Sequence, residues 1–200
     1  MALAGFVLLL PEMAEATNGK HPVTQLEDLN RNPLRVTQNN VVLESFRTLG
    51  ANAAPLPFSE LFSALETNTG EGQENPVDTI LSSKFFEAQT SLSVTSPVYR
   101  PWIVPVSKTW WSTPSKDGQK IRNDAAVSSR DFERKDTGDE AHKALADLKP
   151  EGMQMNQLSP AESSRMRNKL TRVNASIGAN VGMDLWQGTR SELARLGAQK

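Results

Sequence analysis

The sequence predicts an α/β fold with one long helix and further helices gathered toward the C-terminal end. Three observations carry this reading. Short extended runs such as Leu34-Arg35-Val36-Thr37 and Ser91–Thr95 alternate with stretches of helical apolar spacing, as strands and helices do in layered α/β proteins. Residues 115–148 form a charged stretch without proline, long enough for many helical turns. Ser159-Pro160-Ala161-Glu162 then opens a helical tail, which suggests a terminal helix packing across the sheet.

Composition bounds the class. Two hundred residues allow one domain of ordinary size, or one lobe of a larger protein plus extras. A hydrophobic share of 38% is adequate for a core. Net charge is −1 and the positive residues are scattered, so there is no basic stripe for nucleic acid. There is no cysteine, which removes disulfides and thiolate metal sites and is compatible with cytosol or periplasm. No apolar run is long enough for a transmembrane helix.

Each element follows in chain order. Leu3–Leu10 is apolar and Ala14-Glu15-Ala16 mimics a cleavage site, so a signal peptide is one reading. The run is short and no Lys or Arg precedes it, which favours a buried strand. Thr24-Gln25-Leu26-Glu27 has capping-box spacing and predicts a short helix, broken at Asn30–Pro33. Leu34–Thr37 is extended. Asn40–Leu49 is helical, with Val41, Val42, Ser45, Phe46 and Leu49 expected on one face and Gly50 as its C-terminal stop. Pro55-Leu56-Pro57 reads as a stiff connector, Phe58–Glu66 as a second helix, and residues 68–75 as a Gly/Thr/Asn loop. Pro76 suits the first turn of a third helix. Ser91–Thr95 and Val98–Val106 read as strands, the latter bent or at an edge because of Pro101 and Pro105. Trp110 and Trp111 are expected to anchor packing. Ser115–Leu148 is a long, mostly wet helix that Gly138 could interrupt, Met153–Met155 a short strand, and the tail to Leu196 helical with a break near Gly178 or Gly182.

On residue chemistry alone, the Gly72-Gln73-Glu74-Asn75-Pro76 turn and Arg35 point to an anion-binding pocket rather than a catalytic centre. Arginine grips a carboxylate at two points, and an asparagine at a turn adds a donor. Blander readings stand beside these. Arg35 could be a solvated strand arginine, Asn75 plain turn chemistry, and Phe58 a core anchor for its helix. Glu60, Glu66, Glu71 and Glu74 define no acid–base pair, and His21 and His142 are too far apart for a zinc set. Gly70 and Gly72 make no phosphate loop. No cofactor is implied.

Several segments together resemble one family. They are Thr17-Asn18-Gly19-Lys20-His21-Pro22-Val23, Pro57-Phe58-Ser59-Glu60-Leu61-Phe62-Ser63-Ala64-Leu65, Gly72–Pro76, Lys84-Phe85-Phe86-Glu87-Ala88-Gln89, Tyr99–Val104 with Ser107-Lys108, and Leu158–Glu162. In this order they are similar to the C4-dicarboxylate-type solute-binding subunit of TRAP (tripartite ATP-independent periplasmic) transporters. The resemblance implies a periplasmic-binding-protein-like receptor of two lobes that closes on an organic anion and passes it to a membrane permease. It gives Arg35 the ligand carboxylate, places Asn75 in the pocket lining, packs Phe58 on the ligand, and adds Gln38 more weakly. Family members are half as long again or more, so the expectation is an N-terminally truncated copy. Residues 1–100 and 148–200 would form a nearly complete ligand-binding lobe, and 101–147, with the long helix, a remnant of the other. Met13-Ala14 stands where the family usually has Phe-Arg, Pro97 where a histidine is common, and Pro105 inside a returning strand. The expected function is the extracytoplasmic, non-enzymatic receptor of a TRAP transporter, periplasmic if exported. The alternatives are a small α/β enzyme acting on an acidic substrate, or a receptor fragment without function.

Overall fold

A computed structural model describes residues 3–6, 12–13, 15–30, 33–95, 99–100 and 104–197. In chain order the elements are β1 (Leu3–Phe6), β2 (Glu12–Met13), β3 (Glu15–Asn18), β4 (Pro33–Val36), α1 (Asn40–Leu49), β5 (Asn52–Pro55), α2 (Phe58–Glu66), β6 (Gly72–Asn75) and α3 (Val77–Ser82). Then come β7 (Ser91–Val94), β8 (Tyr99–Arg100), β9 (Val104–Ser107), α4 (Lys108–Ser112), α5 (Lys116–Leu148), β10 (Gln154–Gln157), α6 (Pro160–Lys169), α7 (Thr171–Val181) and α8 (Met183–Gly197). Two 3-10 turns, Leu26–Asn30 and Phe85–Glu87, complete the list. The α/β reading is correct.

Six strands form one sheet in the order β10-β7-β3-β6-β4-β5. β3 is antiparallel to both β6 and β7, while β10 runs parallel to β7, and β4 parallel to β5 and β6. Five strands therefore share one direction and β3 alone opposes them. β1 pairs with β9 and β2 with β8, each antiparallel and outside that sheet. Strand alternation sends successive side chains to opposite faces, and each face has its own core. One core gathers Ala16, Leu34, Val36, Val42, Phe46, Leu49 and Met166 under α1 and α6. The other gathers Leu61, Leu65, Ile80, Phe85, Leu92, Ala144 and Leu148 under α2, α3 and the end of α5.

Helix α1 forms where its periodicity and caps predict. The Asn39 side chain accepts from the Val41 and Val42 amides at 2.9 and 3.2 Å. Gly50 ends the helix at φ 103°, and a Cβ there would stand 2.2 Å from Asn30 Oδ1, so only glycine fits.

Several expectations are corrected. Residues 72–75 are the buried strand β6, not a loop: this Gly/Asn-rich segment lacks strand propensity but pairs with β3 and β4. A Cβ at Gly72 would lie 2.9 Å from the Thr17 carbonyl oxygen, so glycine permits the close approach of β3. The Pro55–Pro57 connector begins as strand β5 at the sheet edge, where proline is tolerated. The 98–106 strand is two strands, β8 and β9; residues 101–103, with Pro101, lie outside the described residues, as do residues 7–10 of the N-terminal run and Pro97. Gly138 does not interrupt α5, which is unbroken over 33 residues or about 50 Å. The tail breaks after Lys169 and at Gly182, whose φ is 101°. Trp110 is no core anchor: it is exposed, and Arg122 holds its guanidinium 3.6 Å from the ring centroid. Far from its buried C-terminal end, α5 exposes Ile121 and Phe132.

The turn at Leu26 is a 3-10 turn rather than an α-helix, and its acid is Asp28 instead of Glu27. Asp28 Oδ2 accepts from the Thr24 amide (2.9 Å), the Thr24 hydroxyl (2.8 Å) and the Gln25 amide (3.1 Å). Glu27 instead pairs with Arg165 on α6, which holds its carboxyl below the usual range. Burial pushes the Asp28 carboxyl up, but the hydrogen bonds from Thr24 and Gln25 outweigh it and leave it below the usual carboxylate range. A lowered folded-state value means that the carboxylate stabilises the fold above its unfolded pKa and that this contribution is lost as pH falls through the folded one. Asp28→Asn is therefore expected to cost about 1–3 kcal/mol at neutral pH. The gap to the parent should begin to narrow in urea melts taken below about pH 4 and close only as pH falls through the lower folded-state value; a gap that stays constant through that range would contradict this role for the charge.

Candidate functional site

In open sheets with parallel strands, ligands bind beyond the carboxyl ends of the strands. Here that edge is formed by the ends of β4, β5, β6, β7 and β10, together with the start of the opposed strand β3. Gln38 lies two residues past β4, Phe58 three residues past β5, and Asn75 is the last residue of β6. Arg35 is the next-to-last residue of β4.

Arg35 is buried, at 4% exposure, so it is not a solvated strand arginine. Leu34 and Val36 face the core under α1, which turns Arg35 to the opposite face, in register with Gln73 of β6 and Ala54 of β5. Its Nε and Nη2 donate to the Leu56 carbonyl at 2.9 and 2.6 Å. Arg35 lines a cavity of about 530 Å³ between β4, β5 and α2, together with Leu56, Ser59, Glu60, Ser63 and Thr67. Asn75, Phe58 and Gln38 do not line that cavity. The four residues thus share one end of the sheet, and of them Arg35 alone lines this cavity.

Asn75 is buried, and its Nδ2 donates to Gln73 Oε1 two residues back on the same face. Phe58 is 52% exposed and meets Phe85 edge to face at 5.9 Å between centroids, so the reading of Phe58 as a core residue is corrected. Its position at the first turn of α2, just past the proline connector, pushes the ring outward. Gln38 is exposed.

The profile of the DctP family, described as bacterial extracellular solute-binding protein, family 7, matches residues 12–180. The chain belongs to the DctP family. Its sequence is 30% identical over 141 residues to the 2,3-diketo-L-gulonate-binding periplasmic protein YiaO of Escherichia coli, covering 70% of this chain and 43% of YiaO. In structure it superimposes on a TRAP periplasmic solute-binding protein of Ochrobactrum anthropi, described with a C-terminus bound in the ligand-binding pocket, with a TM-score of 0.92 and 36% identity over 99% of this chain and 62% of that one. The galactonate complex of the sugar acid binding protein DctPAm from Advenella mimigardefordensis matches with a TM-score of 0.77 and 37% identity, over 92% and 58% of the two chains. These relatives are solute-binding proteins and not enzymes. This DctP-family chain spans roughly two fifths to three fifths of the length of the relatives it matches. No helix among its described residues is long and apolar enough to cross a membrane.

Other residues hold the strand ends of this DctP-family chain in place, and the sequence did not reveal them. Glu15, buried and opposite Asn75 in register, accepts the Thr95 amide at 2.6 Å and ties the start of β3 to the end of β7. Glu74, fully buried, accepts the Thr37 amide at 3.1 Å and fixes the turn leading to Gln38. Gln73 links Asn75 to Thr17 of β3. Glu74 and Gln73 stood in the quoted turn, and two polar side chains in a strand buried on both faces would have been the signal.

Proposed function

We propose that this chain is the anion-binding part of the extracytoplasmic receptor of a TRAP-type transporter. It takes up a carboxylate-bearing small molecule and presents it to the permease subunits from the periplasmic side. Residues 1–100 and 148–200 form the ligand-binding lobe, and 101–147 belong to the second. The observation that carries this reading is the buried Arg35 guanidinium at the carboxyl end of a family-7 sheet, the one end at which Asn75, Phe58 and Gln38 also stand. Arg35 grips the carboxylate, Asn75 sets its orientation, Phe58 covers its apolar side and Gln38 closes the edge. The galactonate and D-erythronate bound by relatives of 37% and 31% identity supply the ligand class.

An arginine–carboxylate pair is strong when water is excluded, and exclusion comes from closure between two rigid bodies. Binding to this chain alone is therefore expected to be weak, in the millimolar range, about 4 kcal/mol. Titrating the isotope-labelled chain with D-erythronate, galactonate and succinate tests the site directly. The amide signals of Arg35, Gln38, Phe58 and Asn75 should shift together. Shifts confined to another end of the sheet, or none at tens of millimolar acid, would defeat the reading.

A further inference from the structure

Asn18-Gly19, at the end of β3, is the one Asn-Gly pair in the sequence. Asparagine before glycine carries a self-modifying chemistry. The Gly19 amide nitrogen attacks the carbonyl carbon of the Asn18 side chain, a C–N bond forms, and the carboxamide nitrogen leaves as ammonia. Water then opens the five-membered imide at either of its carbonyls. One opening gives aspartate in an ordinary chain. The other gives isoaspartate, in which the main chain runs on through the former side chain. Glycine favours the first step because no Cβ shields its nitrogen.

In the folded chain every group that must move is held. The Gly19 amide donates to the Glu71 carbonyl at 3.0 Å. Asn18 Oδ1 accepts from the Lys20 and His21 amides at 2.7 and 3.2 Å, a local turn that fixes the carboxamide. The Asn18 main-chain carbonyl accepts from the Thr90 amide at 3.2 Å and the Ser91 hydroxyl at 2.9 Å. Asn18 is 6% exposed and stands in register with Gly72 of β6 and Ser91 of β7. Ring closure turns the Cα–C bond of Asn18 far from the extended range, a ψ of about +135°. That rotation would break the strand pairing on both sides. The two amides on Oδ1 would polarise the carbonyl once attack was allowed, so strand geometry is what withholds the reaction.

We infer that Asn18 is a latent deamidation site, shut while β3 lies in the sheet, opened by unfolding, and unable to shut again once isoaspartate has formed. Isoaspartate inserts an extra carbon into the main chain at the last residue of β3, where register is fixed by two neighbours. There is no slack to absorb it: a Cβ on Gly72 would already stand 3.3 Å from Asn18 Nδ2. Chemical change in the unfolded chain makes unfolding irreversible.

The test follows the intact chain in mildly alkaline buffer, with and without urea, by mass spectrometry of the peptide that holds Asn18-Gly19. Deamidation adds mass, which separates it from isomerisation at Asp117-Gly118, which does not. Without urea, conversion should run at least about a thousandfold slower than in the unfolded chain, following the small unfolded fraction of a stable domain. Below the unfolding midpoint it should rise about thirtyfold for each added molar of urea, in step with that fraction. Equal rates in folded and unfolded chains would show that the sheet does not shut the site. A rate that stays flat at low urea would mean that the end of β3 frays locally. Either result overturns the inference. After urea is removed, the refolded pool should contain asparagine or ordinary aspartate at position 18, with isoaspartate left in the pool that does not refold. Asn18→Asp should refold like the parent, since it keeps the main chain and an acceptor for the Lys20 and His21 amides. Isoaspartate in the refolded pool overturns the one-way step, and so does an Asn18→Asp chain that fails to refold, because the added carbon would then not be the cause.

Discussion

Phe46→Ala is expected to bring this chain close to unfolding. Phe46 is 1% exposed and sits in the core that joins α1 to the sheet beside Val36, Leu49 and Met166. Removing a buried phenylalanine ring costs about 3–5 kcal/mol, part from lost burial and part from the cavity left behind. Domains have only about 5–15 kcal/mol in hand. Helix α1 is short, and a ten-residue helix has little stability of its own without a face to pack. The urea midpoint should fall by roughly 2 M, taking a slope near 2 kcal/mol/M. Val41→Ala, one turn away on the exposed side of the same helix, should change stability by no more than about 0.5 kcal/mol. Equal midpoints for the two variants would mean that α1 does not pack as described.

Arg35→Ala is expected to remove carboxylate binding. Truncating one partner of a buried, hydrogen-bonded charge pair costs about 2–5 kcal/mol, a loss of at least tenfold in affinity. Arg35→Lys should lose nearly as much, since lysine keeps the charge but not the planar fork. Arg35 also has a structural duty, because its Nε and Nη2 hold the Leu56 carbonyl where β5 leaves the sheet. The two duties separate in measurement. If the arginine serves only the chain, the variants will melt earlier while the titration midpoint for D-erythronate stays where it was. If it serves the ligand, affinity falls by far more than the loss of stability explains.

Much of the architecture was legible because local signals and packing agreed. Helix α1 announced itself through Val42, Phe46 and Leu49 and through Gly50, and α6 through Ser159 and Pro160, whose cap bond to the Glu162 amide forms at 3.2 Å. The middle of the sheet was not legible, for a physical reason. Central strands usually read as apolar runs. Here β3 is Glu-Ala-Thr-Asn and β6 is Gly-Gln-Glu-Asn, and both are fully buried. Their polar groups are satisfied by partners far along the chain: Gln73 reaches Thr17 across 56 positions, and Thr17 reaches Gln89 across 72. Local propensity contains nothing of such pairings. Arg35 and Asn75 were visible as chemistry and through the family resemblance, whereas the Thr17, Gln73 and Gln89 relay behind Asn75 needed the register of three strands.

The opposed strand β3 also governs how the chain must assemble. It is drawn from the early sequence, yet Ala16 meets Glu74 on one side and Ser93 on the other, and β10 joins only after the whole of α5 has been made. The early segment must wait, unpaired, for partners synthesised much later, and distant pairings of this kind make folding slow. Deleting it would leave two half-sheets, β10-β7 and β6-β4-β5, each with a raw edge open to association with other copies.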